Sequence, residues 1–100
     1  MKISFSTLAC PDFSWTDIYS MAKDFGFDGI EIRGLGNEIF SVKAQPFTEA
    51  QLPKTIAKLN SLGLEIPCLT SGACLKFKDK FDDIKEEITE YAGLAQKLGT

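Results

Sequence analysis

Two charges sit inside a stretch that otherwise reads as an apolar strand. Side chains alternate along Gly29-Ile30-Glu31-Ile32-Arg33, so Ile30 and Ile32 share one face and Glu31 and Arg33 the other. A parallel strand is covered on both faces and is expected to be apolar on both. Charges there are costly unless they are paired or hydrogen-bonded. Two readings follow. Glu31 and Arg33 contact a ligand, or they pair with other interior residues and only fill space. Hydroxyls cluster at two further strand ends, Ser6-Thr7 and Thr70-Ser71, where they can bind a polyol or phosphate or simply terminate the strand. Ser71 is the preferred binder of this group, because Gly72 beside it permits close backbone approach. Phe13 and Trp15 can stack on a sugar ring, although Trp15 also falls on a helical apolar stripe. Phe40, Val42 and Phe47 can line a pocket or a partner surface.

Other chemistry is excluded by residue type. The chain has no histidine, which removes Ser/His and Cys/His nucleophile pairs. Its three cysteines, Cys10, Cys68 and Cys74, are an odd number without an export signal and read as buried or half-buried free thiols. No metal ligand set is found in the span. The acidic Asp83-Ile84-Lys85-Glu86-Glu87 run reads as a solvated helix face. A net charge of −3 with no basic cluster excludes nucleic-acid binding through phosphate neutralisation. No apolar run suits a membrane span and no signal peptide opens the chain, so a cytoplasmic protein is expected. With 44% hydrophobic and 25% charged residues, the composition is that of an ordered globular chain of one domain, residues 1–100.

The elements that must hold these residues are punctuated by Gly26, Gly63 and Gly99, evenly spaced, each closing an amphipathic stretch as a helix stop. The first strand is predicted over Ile3 to Leu8. The first helix follows from a Ser14 N-cap with Asp17 as a near-capping box, and Trp15, Ile18, Tyr19, Ala22 and Phe25 share its apolar face. Strand two is Gly29 to Arg33. A long connection, Gly34 to Phe47, then reads as a functional loop. Thr48 and Gln51 resemble a capping box for the second helix. Pro53 conflicts with it, so either the opening turn is separate or the helix begins at Pro53. Strand three is predicted over about Leu64 to Thr70, with Pro67 marking an edge or bulge. Phe81, Ile84, Ile88, Tyr91, Ala92, Ala95 and Leu98 form the face of the third helix.

Strict strand–helix alternation implies parallel strands, closed either as an open doubly wound sheet or as a barrel. The Gly-rich phosphate turn of a dinucleotide-binding sheet is missing after strand one, where the residues are Cys10-Pro11-Asp12-Phe13-Ser14. The expected fold class is therefore α/β, a (β/α)8 TIM barrel of which this chain supplies the first three βα units, with a fourth strand due after Gly99.

The segments FGFDGIEIRG, LNSLGLEIPCLTSG and LAQKLGT resemble the xylose-isomerase-like barrel superfamily of sugar phosphate isomerases and epimerases, which includes endonuclease IV and inosose dehydratase. The resemblance covers the whole chain. It implies an enzyme using a divalent metal (Mn, Mg, Co or Zn), held by carboxylates and a histidine of later strands, on a small sugar or cyclitol. Proton abstraction would occur next to a carbonyl or hydroxyl carbon, outside this span. Only Glu31, Arg33 and the Ser71 region carry over, as substrate contacts. Thr70-Ser71-Gly72 stands where the nuclease branch has a histidine, which argues against DNA repair. Two alternatives remain. One is a dehydratase or lyase of the same superfamily, resembling inosose dehydratase. The other is a non-enzymatic fragment whose open edges favour a homo-oligomer.

Overall fold

A computed structural model describes all 100 residues. Strand β1 (Ser4–Ser6) leads into a 3-10 turn at Thr7–Ala9, so the predicted strand to Leu8 ends early. Helix α1 spans Trp15–Asp24. Ser14 caps it: its hydroxyl accepts from the Asp17 N–H at 3.1 Å, and the Asp17 carboxylate accepts from the Ser14 N–H at 3.3 Å. Ser14→Ala removes one partner of that exchange and is expected to cost about 1 kcal/mol in denaturant unfolding. All three punctuating glycines take positive φ, 75°, 68° and 74°. At each, the next residue's N–H reaches back to the carbonyl one turn inside the helix, as in Phe27 to Ala22 at 2.9 Å.

Strand β2 (Gly29–Glu31) pairs in parallel with β1, Phe5 against Ile30 and Ser6 against Glu31. The sheet face of Phe5 and Ile30, continued by Ile32 just after β2, meets the helices, and both isoleucines are fully buried. The third extended segment departs from expectation. Leu64 to Thr70 is not a continuous strand but two isolated parallel bridges, Gly29 to Glu65 and Ile32 to Leu69. Between those bridges the third segment carries one residue more than β2, which is a bulge. Pro67 falls inside it, where its missing N–H withholds nothing from the ladder.

Helix α2 (Leu52–Leu62) takes Pro53 in its first turn. The capping box at Thr48 and Gln51 does not form. Instead the Thr48 carbonyl receives the Gln51 and Leu52 N–H groups, and its hydroxyl donates to the Gln45 carbonyl, so the opening turn is separate. Helix α3 (Phe81–Leu98) buries Ile84, Tyr91 and Leu94, whereas Ile88, Phe81 and Ala92 stay exposed. The core gathers Ile18 and Ala22 of α1, Leu52 and Leu59 of α2, Leu64 and Ile66, and Leu94 of α3. Trp15 packs edge-on against Phe47 at 5.5 Å and Tyr19 at 5.8 Å, so its ring belongs to the packing between α1 and the long connection. No helix is long and apolar enough to cross a membrane.

Candidate active site

The residues that end the parallel strands converge at one end of the sheet. The β1–β2 ladder stops at the Ser6–Glu31 pair. Beyond it, Thr7 replaces the ladder: its hydroxyl donates to the Gly34 carbonyl at 2.9 Å and accepts the Arg33 N–H at 2.8 Å. Thr7 is buried because it performs this exchange, so it serves the backbone rather than a ligand. Ser6 likewise accepts from the Leu8 N–H and caps the following turn.

The bulge determines which side chain of the third segment meets Glu31. Leu64 and Ile66 are buried on the helix side. Unbroken alternation would put Cys68 and Thr70 there too. The extra residue reverses the parity. Leu69 joins the apolar cluster, and Thr70 turns to the charged face, where its hydroxyl donates to Glu31 Oε1 at 2.8 Å. Glu31 is half-buried, and its second carboxylate oxygen makes no hydrogen bond within the chain.

A cavity of about 190 Å³ opens beside this pair, with Thr7, Arg33, Gly34, Glu38, Thr70 and Gly72 among its lining residues. Arg33 is exposed at its wall. The chain's only ion pair joins Lys2 to Glu65 elsewhere, at 3.3 Å, so the Arg33 guanidinium has no carboxylate partner. Over the cavity the long connection folds back as a tight hairpin. Leu35 and Glu38 exchange backbone hydrogen bonds at 2.9 and 3.0 Å across Gly36-Asn37.

Of the residues expected at the site, Arg33 lines the cavity and Glu31 reaches it through Thr70. Ser71 lies between two lining residues without lining it, and its hydroxyl accepts from the Ala73 N–H at 3.3 Å. Thr70, rather than the preferred Ser71, is the hydroxyl that meets Glu31, and Pro67 is its signal in the sequence, since a bulge re-aims the side chains after it. The acidic run of α3 is not wholly solvated, because Glu87 Oε1 accepts from the Gly72 N–H at 2.9 Å and ties down the loop after Thr70. Cys68 is exposed, contrary to expectation, while Cys10 is buried against the cavity and burial pushes its thiol pKa up, away from the reactive thiolate. No group of three or more His, Cys, Asp or Glu side chains is placed to hold a metal ion. The residues of this span therefore do not fit a metal centre by themselves.

Fold and site together define a parallel βα chain with its polar groups gathered at the carboxyl ends of the strands. No protein-family model matches the chain, nor does any curated sequence. Among solved structures, it is similar to the probable 3-DHS dehydratase AsbF, involved in petrobactin synthesis, from Bacillus anthracis. The TM-score is 0.79 at 25% identity, over 100% of this chain and 36% of that one. That neighbour is a TIM-barrel enzyme of the xylose-isomerase-like superfamily, and the likeness supports that superfamily for the fold.

Proposed function

We propose that these residues form the opening βα units of a barrel enzyme that dehydrates a small hydroxylated carbonyl compound. The observation that carries this reading is the match of the whole chain to part of a dehydratase, at a TM-score of 0.79. The neighbour's name favours dehydration over the isomerase or epimerase reading. Both reactions begin with removal of a proton next to a carbonyl. In dehydration the electron pair then forms a carbon–carbon double bond, and the hydroxyl on the adjacent carbon leaves as water. In isomerisation the proton returns at another position.

Within this scheme the present residues bind and orient. Thr70 holds one Glu31 oxygen, leaving the other to accept a hydrogen bond from a substrate hydroxyl. The unpaired Arg33 guanidinium suits a carboxylate or phosphate on the substrate. The proton-abstracting base, and any divalent metal (Mn, Mg, Co or Zn), would come from residues outside this span. The test is product analysis with the complete enzyme and sugar, cyclitol or keto-acid candidates: a product lighter by one water supports the proposal, and an isomer of equal mass overturns it. In that enzyme, Arg33→Ala is expected to raise KM about 10- to 100-fold with a smaller change in kcat, the signature of a lost binding contact.

A further inference from the structure

The backbone at Arg33 is fastened in an unusual way. Gly34 has φ +70° and turns the chain sharply just after Arg33, and both its polar groups are held by side-chain hydroxyls. Its carbonyl accepts from Thr7 at 2.9 Å, and its N–H donates to Ser41 Oγ at 3.2 Å. Ser41 in turn donates its own N–H to the Tyr91 hydroxyl of α3 at 3.0 Å. Ser41 is 0% exposed although it lies in a connection, and Tyr91 is 6% exposed. A serine so placed is explained by its hydroxyl, which satisfies the Gly34 N–H.

We infer that Tyr91 and Ser41 are positioning residues: the partly buried chain Tyr91–Ser41–Gly34–Thr7 holds the backbone of Arg33, and the hairpin at Leu35–Glu38, in place over the cavity. The inference deepens the functional reading above, in which Arg33 contacts an anionic substrate group. The β1–β2 ladder ends at Glu31, so nothing in the sheet itself fixes the two residues after Ile32 except these hydroxyls and the Thr70 N–H bond to the Ile32 carbonyl at 2.9 Å. Tyr91 carries the constraint from the third helix, which packs on the far side of the connection. Loss of its hydroxyl frees the Ser41 N–H inside the core, and the strain is relieved by movement of the segment that leads to Gly34.

The test compares Tyr91→Phe and Ser41→Ala with Ile84→Val, a core truncation on α3 outside the chain of hydroxyls. Amide hydrogen exchange is read at Arg33 and, as reference, at Ile30 and Ile32. Exchange at Arg33 is expected to quicken about tenfold more than at Ile30 in both hydroxyl variants, and in step with Ile30 in Ile84→Val. Arg33 and Ile30 moving together in Tyr91→Phe would overturn the inference. Inorganic phosphate then serves as the anion probe. Its affinity is expected to fall several-fold in Tyr91→Phe and to be lost in Arg33→Ala, whereas full affinity in Tyr91→Phe counts against a positioning role. If the unaltered protein binds no phosphate, anion recognition by Arg33 fails, and the exchange result still decides the relay by itself.

Discussion

Ile30→Ala is expected to remove a large part of the folding stability and to shift the urea midpoint well down. Ile30 is fully buried at the centre of the sheet, paired with Phe5 on one side and donating its N–H to the Glu65 carbonyl at 2.9 Å on the other. Truncating such a side chain removes its transfer free energy and leaves a cavity that surrounding side chains fill only in part, at a cost of about 2–5 kcal/mol. A chain of this size has a total stability of order 5 to 15 kcal/mol, and the short sheet puts it at the low end. Ile18, Ala22, Leu59 and Leu64 draw on the same core, so no independent cluster compensates. Urea titration followed by circular dichroism checks this. A midpoint within experimental error of the unaltered chain would mean that Ile30 is not at the centre of the packing.

Glu31→Gln in the complete enzyme is expected to lower kcat/KM about 10- to 100-fold while leaving stability almost unchanged. The Thr70 hydroxyl donates to the carboxylate at 2.8 Å, and a glutamine carbonyl still accepts that bond. What disappears is the charge, and with it the strong acceptor offered to a substrate hydroxyl. A residue that only fills the interior leaves the kinetics unchanged, because it makes no contact with substrate. Steady-state kinetics separates the two, with thermal melting confirming that the variant is folded: unchanged kinetics would remove Glu31 from the site. Thr70→Val is the companion variant, since it keeps the shape and releases the carboxylate from its orienting bond.

Much of the architecture was legible because it rests on local chemistry. The helix stops at Gly26, Gly63 and Gly99 and the Ser14–Asp17 cap are interactions between residues one turn apart, and all formed as read. The alternation in Ile30-Glu31-Ile32-Arg33 announced a buried face and a charged one, and the burial follows it. Thr48 and Gln51 had the right spacing for a cap and failed because the separate turn leading to Pro53 took their backbone groups first. Trp15 showed an apolar stripe but not its partner, since Phe47 is distant in sequence.

The polar site was harder to read because its bonds are long-range. In the sequence Ser71 is preferred to Thr70 because Gly72 follows it. Only the one-residue excess in the third segment, visible when its two bridges to β2 are set side by side, decides that Thr70 faces Glu31. Thr7 and Ser41 were ordinary hydroxyls until the ladder ended short of Arg33 and left its N–H, and both polar groups of Gly34, to be satisfied from outside the sheet. Tyr91 looked like one more member of an apolar stripe. Local periodicity settles which faces are buried, because a helix or strand repeats within a few residues. Which hydroxyl meets which carboxylate depends on register and bulges between segments tens of residues apart, and that is decided only when the chain packs.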